Sequence, residues 1–204
     1  MSFARFASWC AYLAAAAGLG YSVVFVATTD DDSRFGEGLE GALLMAGGAL
    51  AIAVAVGLYE RVREREPGFA LLALLLGAFG GLGAAVHGAY QLALAVEDLA
   101  SGVDFPNPID PRGFLTFGLT AAAVALFAWL LEGRLRAVGF VLAVLLAVLW
   151  IGRLVGGDAD DVALLLPAAL AGFVANPAWY VLVGRELAGS TPRRLAPPAG
   201  RAAP

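Results

Sequence analysis

The chain has 204 residues, 60% hydrophobic and only 15% charged, with a net charge of −4 and a mean hydropathy of +0.80. About a quarter of a soluble domain is usually charged, and the apolar excess here falls in blocks of about 20 residues, the length that crosses a hydrocarbon core of about 30 Å. This composition excludes a water-soluble enzyme and gives no basic surface for nucleic acid, and the single cysteine, Cys10, excludes an intrachain disulfide or a cysteine-based metal site.

A short basic N-terminus carrying Arg5 leads into a first span predicted over residues 8–28. Its apolar run exceeds the ~7–15 residues of a signal-peptide core, and no small-x-small cleavage site precedes Asp30, so it reads as a retained helix. Further spans are predicted over 39–59, 68–96, 113–131, 137–155 and 162–184. The remainder, 185–204, is rich in Pro, Arg and Ala and is expected to be a disordered tail. Asp110-Pro111 reads as an N-cap followed by a first-turn proline for the fourth span, and Asp161 as the cap of the sixth. A helix apolar on every side needs protein or lipid around it, and this chain has too little polar sequence to cover six of them. The expected fold class is all-α, an integral membrane bundle of six transmembrane helices.

All 13 basic residues are arginine, and they alternate by connection. Arg5, Arg61, Arg63, Arg65, Arg134, Arg136, Arg185, Arg193, Arg194 and Arg201 fall on one side, with only Arg34, Arg112 and Arg153 on the other. Short arginine-bearing loops stay on the cytoplasmic face during insertion, which predicts that the N- and C-termini are both cytoplasmic. Carboxylates run the other way, from Asp30, Glu37 and Glu40 through Glu97 and Asp110 to Asp158 and Asp161, and predict an acidic outer surface. Trp9, Trp129, Trp179, Tyr59 and Tyr180 are expected near the inner interface and Trp150, Tyr21 and Tyr90 near the outer one, where amphipathic rings favour headgroup depth.

Small residues recur at four-residue spacing as Ala14/Gly18, Gly47/Ala51, Gly77/Gly81 and Gly80/Ala84/Gly88. Such pairs let helices approach closely in lipid. They are read as packing faces within the bundle, although the same spacing could serve a homodimer.

The third span holds the most informative polar residues. His87 and Gln91 lie four apart on one helix face near the outer edge of the hydrocarbon, with Tyr90 beside them. Polar groups at that depth are costly unless paired and are functional candidates by default. By depth, His87, Gln91, Asp110, Arg112 and Arg153 could converge on one outward-facing pocket; the alternative is interfacial arginines pairing with outer carboxylates. In the sixth span Pro177 predicts a kink and a freed carbonyl near Phe173, with Asn176 placed to repair it or to meet a substrate. One histidine cannot ligate haem in pairs, and no phosphate loop, zinc-helix motif or catalytic triad is recognisable. The expectation is no metal, no cofactor and no assigned catalytic residue.

Two stretches, HGAYQLA at 87–93 and DPRGFLTFG at 110–118, resemble an uncharacterised family of small bacterial multi-pass membrane proteins, defined as a domain of unknown function. The resemblance implies a six-helix protein of the bacterial cytoplasmic (inner) membrane and transfers no activity. The leading expectation is a non-enzymatic accessory, sensory or ligand- or lipid-binding protein. Its partners would be the bilayer and another membrane protein or a small ligand. The alternatives are a small-solute transporter with a path lined by the third and sixth helices and, more weakly, an intramembrane enzyme using His87 as a base.

Overall fold

The computed structural model of the chain describes residues 1–28, 34–97, 113–155 and 162–189. They form helices alone: α1 (Phe3–Thr28), α2 (Arg34–Val62), α3 (Pro67–Glu97), α4 (Phe114–Leu130), α5 (Gly133–Leu154) and α6 (Val162–Gly189). Helix is the open-chain answer to lipid, because every backbone donor finds its acceptor inside the same segment. All but α4 are long and apolar enough to cross a bilayer, which makes this a multi-pass membrane protein. The described part of α4 is the shorter apolar helix. Its expected cap, Asp110-Pro111, and the Asp161 cap of α6 lie outside the described residues. Helix α6 continues through Arg185 to Gly189, so the first residues of the expected tail are helical, and 190–204 lie outside the described residues.

Each helix packs on the next in sequence, and α6 returns to α1, closing a ring. The α1–α6 seam is antiparallel: the Ser8 hydroxyl donates to the Gly184 carbonyl at 2.8 Å, and Asn176 packs on Gly18 nearer the middle. The first and last helices therefore begin and end at one end of the bundle. Arg5, Arg61, Arg63, Arg65, Arg134, Arg136 and Arg185 sit at this same end, here termed the arginine end.

Glycine makes the closest seam. A β-carbon on Gly41 would stand 2.6 Å from the Gly88 carbonyl oxygen of α3, and one on Gly48 would stand 2.5 Å from that of Gly81. Between lipid-bathed helices there is no hydrophobic drive to associate, so close backbone packing of this kind does the holding. The neighbouring α3 glycines, Gly80 and Gly83, serve α4 in the same way, against Thr120 and Leu115. These glycine spacings are thus used inside the chain. The α4–α5 connection turns on Gly133, whose φ of +60° is the left-handed region that a β-carbon disfavours.

The apolar core lies toward the arginine end, where Leu58, Val62, Leu142, Val183 and Leu187 are fully buried around Phe127 and Trp179. Trp179 is not an interfacial ring, as its position near a helix end predicts: it is 2% exposed, seated on Gly139 of α5. At the opposite end the buried set changes character to Gly36, Gly41, Gly88, Ser22, Glu40 and His87.

Guanidinium groups tie the arginine end together. Arg61 places Nε and Nη2 on one oxygen of Glu186 at 3.0 and 2.8 Å, linking α2 to α6. Arg65 bonds both the Leu130 carbonyl and Glu132, and Arg136 bonds the Leu131 and Trp129 carbonyls. The last carbonyls of α4, which no helical N–H can reach, are satisfied in this way.

Candidate functional site

The site is built on α3 by two glycines and a histidine. Gly80 and Gly83 bring α3 against α4, and a β-carbon on Gly83 would stand 3.2 Å from the Thr116 backbone nitrogen. His87 lies one turn farther along that face, buried at 7% exposure. Gln91 lies a turn beyond His87 on the side toward α2, its Cβ 3.1 Å from where a β-carbon of Gly41 would stand. The shared face of His87 and Gln91 therefore holds, but it is split between two neighbours, α4 and α2.

Helix α4 opens with a π-helical stretch, Phe114–Leu119. Such i→i+5 turns are rare and concentrate at functional sites. This one carries Thr116 and presents Phe114 and Gly118 to α5, where the Trp150 indole packs on both; the Phe114 and Trp150 ring centroids are 5.3 Å apart. Arg153 follows Trp150 by one turn, partly buried at the end of α5.

Three polar atoms toward this end of the bundle lack a hydrogen-bond partner among the described residues: Gln91 Oε1, Thr116 Oγ1 and Trp150 Nε1, all shielded from solvent. His87 Nδ1 and Arg153 Nε are buried toward the same end. A buried indole N–H normally finds an acceptor, and each buried polar group left alone costs about 1–3 kcal/mol. This end thus presents an indole donor, a hydroxyl that both donates and accepts, and an amide acceptor, together with imidazole and guanidinium groups. That set suits a small polar molecule bearing both donors and acceptors.

Of the residues expected to converge, His87, Gln91 and Arg153 do lie at one end, on α3 and α5, with α4 between them. Asp110 and Arg112 lie outside the described residues. Asn176 is elsewhere: it belongs to the α1–α6 seam, its Nδ2 2.5 Å from where a β-carbon of Gly18 would stand. The break expected at Pro177 takes the form of a π-helical stretch, Ala171–Ala175, in which the Asn176 N–H reaches back to the Ala171 carbonyl. The wider turn accommodates the missing proline donor.

Three residues escaped the sequence reading of the site. Thr116 sits in an apolar span, where its hydroxyl is the available signal. Trp150 was read as an interfacial ring. Glu40 was read as part of the acidic outer surface, yet it is buried at 8% exposure between α1 and α2, where Thr28 donates to its Oε1. Among the described residues, no three His, Cys, Asp or Glu side chains gather as a metal ion would require.

No family model, no curated protein and no solved structure matches this chain.

Proposed function

We propose that the chain is a six-span protein of a bacterial cytoplasmic membrane, with both termini cytoplasmic, that works by binding a small polar ligand in the layer formed by His87, Gln91, Thr116, Trp150 and Arg153. The arginine bias of the connections supports the orientation. It puts these residues near the outer face. The family resemblance of 87–93 and 110–118 supports the bacterial assignment.

The observation that carries the binding reading is that Gln91 Oε1, Thr116 Oγ1 and Trp150 Nε1, three buried atoms with no partner among the described residues, all lie toward the end opposite the arginines. Scattered packing defects would not favour one end, whereas a ligand between α3, α4 and α5 would satisfy the Thr116 hydroxyl and the Trp150 indole together. The role is that of a sensory or accessory membrane protein, and no catalytic step is assigned to His87.

The test is native mass spectrometry of the full chain, gently released from its own membrane. A discrete non-lipid added mass on the wild type, lost together in Thr116→Val and Trp150→Phe, is the expected result. Bare protein in both wild type and variants would overturn the reading. Substrate-dependent flux in proteoliposomes without a retained ligand would instead favour transport.

A further inference from the structure

At the arginine end, the seam between α5 and α6 holds a cleft of about 280 Å³ lined by Glu132, Arg134, Leu135, Leu182, Arg185 and Glu186. Its charges divide into two sets. Glu132 is held at 2.8 Å by Arg65 of the α2–α3 connection, and Glu186 is held at 2.8 Å by Arg61 of α2. Arg134 and Arg185 have no hydrogen-bond or ion-pair partner among the described residues, although every other arginine around the cleft has one. The two carboxylates are thus neutralised from the far side, leaving two positive charges over an apolar floor of Leu135 and Leu182.

We infer that this cleft binds the headgroup of an anionic phospholipid of the leaflet at the arginine end. Charge complementarity and depth select that occupant. Arg134 begins α5 and Arg185 lies in the last turns of α6, so both stand where the apolar spans meet the headgroups. The phosphate would meet two guanidinium groups, and the glycerol and upper acyl carbons would lie on Leu135 and Leu182. The Glu132 side chain makes no capping bond to α5, so the positive end of that helix adds to the same field. Basic pockets between membrane helices on the cytoplasmic side recognise anionic headgroups by this chemistry. The inference rests on the membrane reading above but not on the ligand layer at the opposite end, so either can fail alone.

The experiment titrates phosphatidylglycerol or phosphatidylcholine into the full chain in neutral detergent and reads bound lipid by native mass spectrometry. The wild type should retain one phosphatidylglycerol in preference to phosphatidylcholine. Arg134→Ala/Arg185→Ala should weaken phosphatidylglycerol binding about 30-fold, each arginine contributing roughly fivefold. Arg193→Ala/Arg194→Ala, which removes the same charge from the tail, should bind as wild type. Arg134→Lys/Arg185→Lys keeps the charge and should stay within about fivefold of wild type, which guards against misfolding of the alanine variant. Three results would each overturn the inference: equal binding of the two lipids by wild type, equal loss in the cleft and tail variants, or complete displacement of phosphatidylglycerol by inorganic phosphate.

Discussion

Thr28 and Glu40 meet where α1 ends and α2 begins: the threonine hydroxyl approaches Glu40 Oε1 at 2.5 Å and the Val24 carbonyl of its own helix at 2.9 Å. A hydroxyl has one proton to give, and the shorter contact to the carboxylate is the stronger use of it. Among the described residues, Thr28 is the donor that this buried acid has. Thr28→Val, which keeps the shape and removes the hydroxyl, should cost about 1–3 kcal/mol. Thr28→Val combined with Glu40→Leu should recover most of that loss. Unfolding in detergent for the two single variants and the double variant measures the coupling; purely additive effects would show that the contact contributes nothing.

The α2–α3 seam gives a second prediction. A β-carbon on Gly88 would collide with the Gly41 carbonyl oxygen and the Met45 backbone nitrogen, and backbone cannot rotate out of the way. Gly68, on the same helix, has nothing within 4 Å of the added carbon. Gly88→Ala should destabilise by about 1–3 kcal/mol, whereas Gly68→Ala should be neutral or gain up to about 1 kcal/mol in helix propensity. Paired unfolding temperatures in one detergent decide it.

Polar side chains kept for a ligand make the unliganded protein less stable than it could be. Replacing an unpartnered buried polar group by an apolar one of similar shape is close to neutral or stabilising. Thr116→Val and Trp150→Phe should therefore leave the unfolding temperature of ligand-free protein unchanged or raise it, while abolishing any added mass retained by the wild type. A clear fall in stability for either would mean that the group already has a structural partner.

At the arginine end the prediction separates exposed ion pairs from helix capping. The Arg61–Glu186 pair is well over a third exposed on the arginine side, so Glu186→Gln should cost less than about 1 kcal/mol. Arg136 instead donates to the Leu131 and Trp129 carbonyls at the end of α4. Arg136→Ala should speed amide hydrogen exchange in the last turn of α4 while leaving α1 unaffected. Arg136→Lys should rescue only part of the protection, because an ammonium cannot reproduce the guanidinium fork.

Depth along each helix was legible in the sequence. Apolar run length fixed where the helices lie to within a turn or so, because each must shield its own backbone over the thickness of the hydrocarbon. The arginine pattern gathered one end of every helix correctly, and counting residues put His87, Gln91 and Arg153 toward the opposite end. Direction around each helix was not legible. These helices are apolar on nearly all sides, so no polar stripe says which face turns inward. For that reason Asn176 fell to Gly18 of α1, Glu40 left the outer surface for the α1–α2 interface, and Trp179 became core. The two π-helical stretches also depend on tertiary contacts: one carries Thr116 between α3 and α5, and the other relieves Pro177 against α1. Sequence alone thus determined the class of fold, the ends of the helices and the end of the bundle that holds these polar residues. Only the packing of glycine against backbone, which chooses each helix's neighbours and rotation, decided which polar atoms come together there.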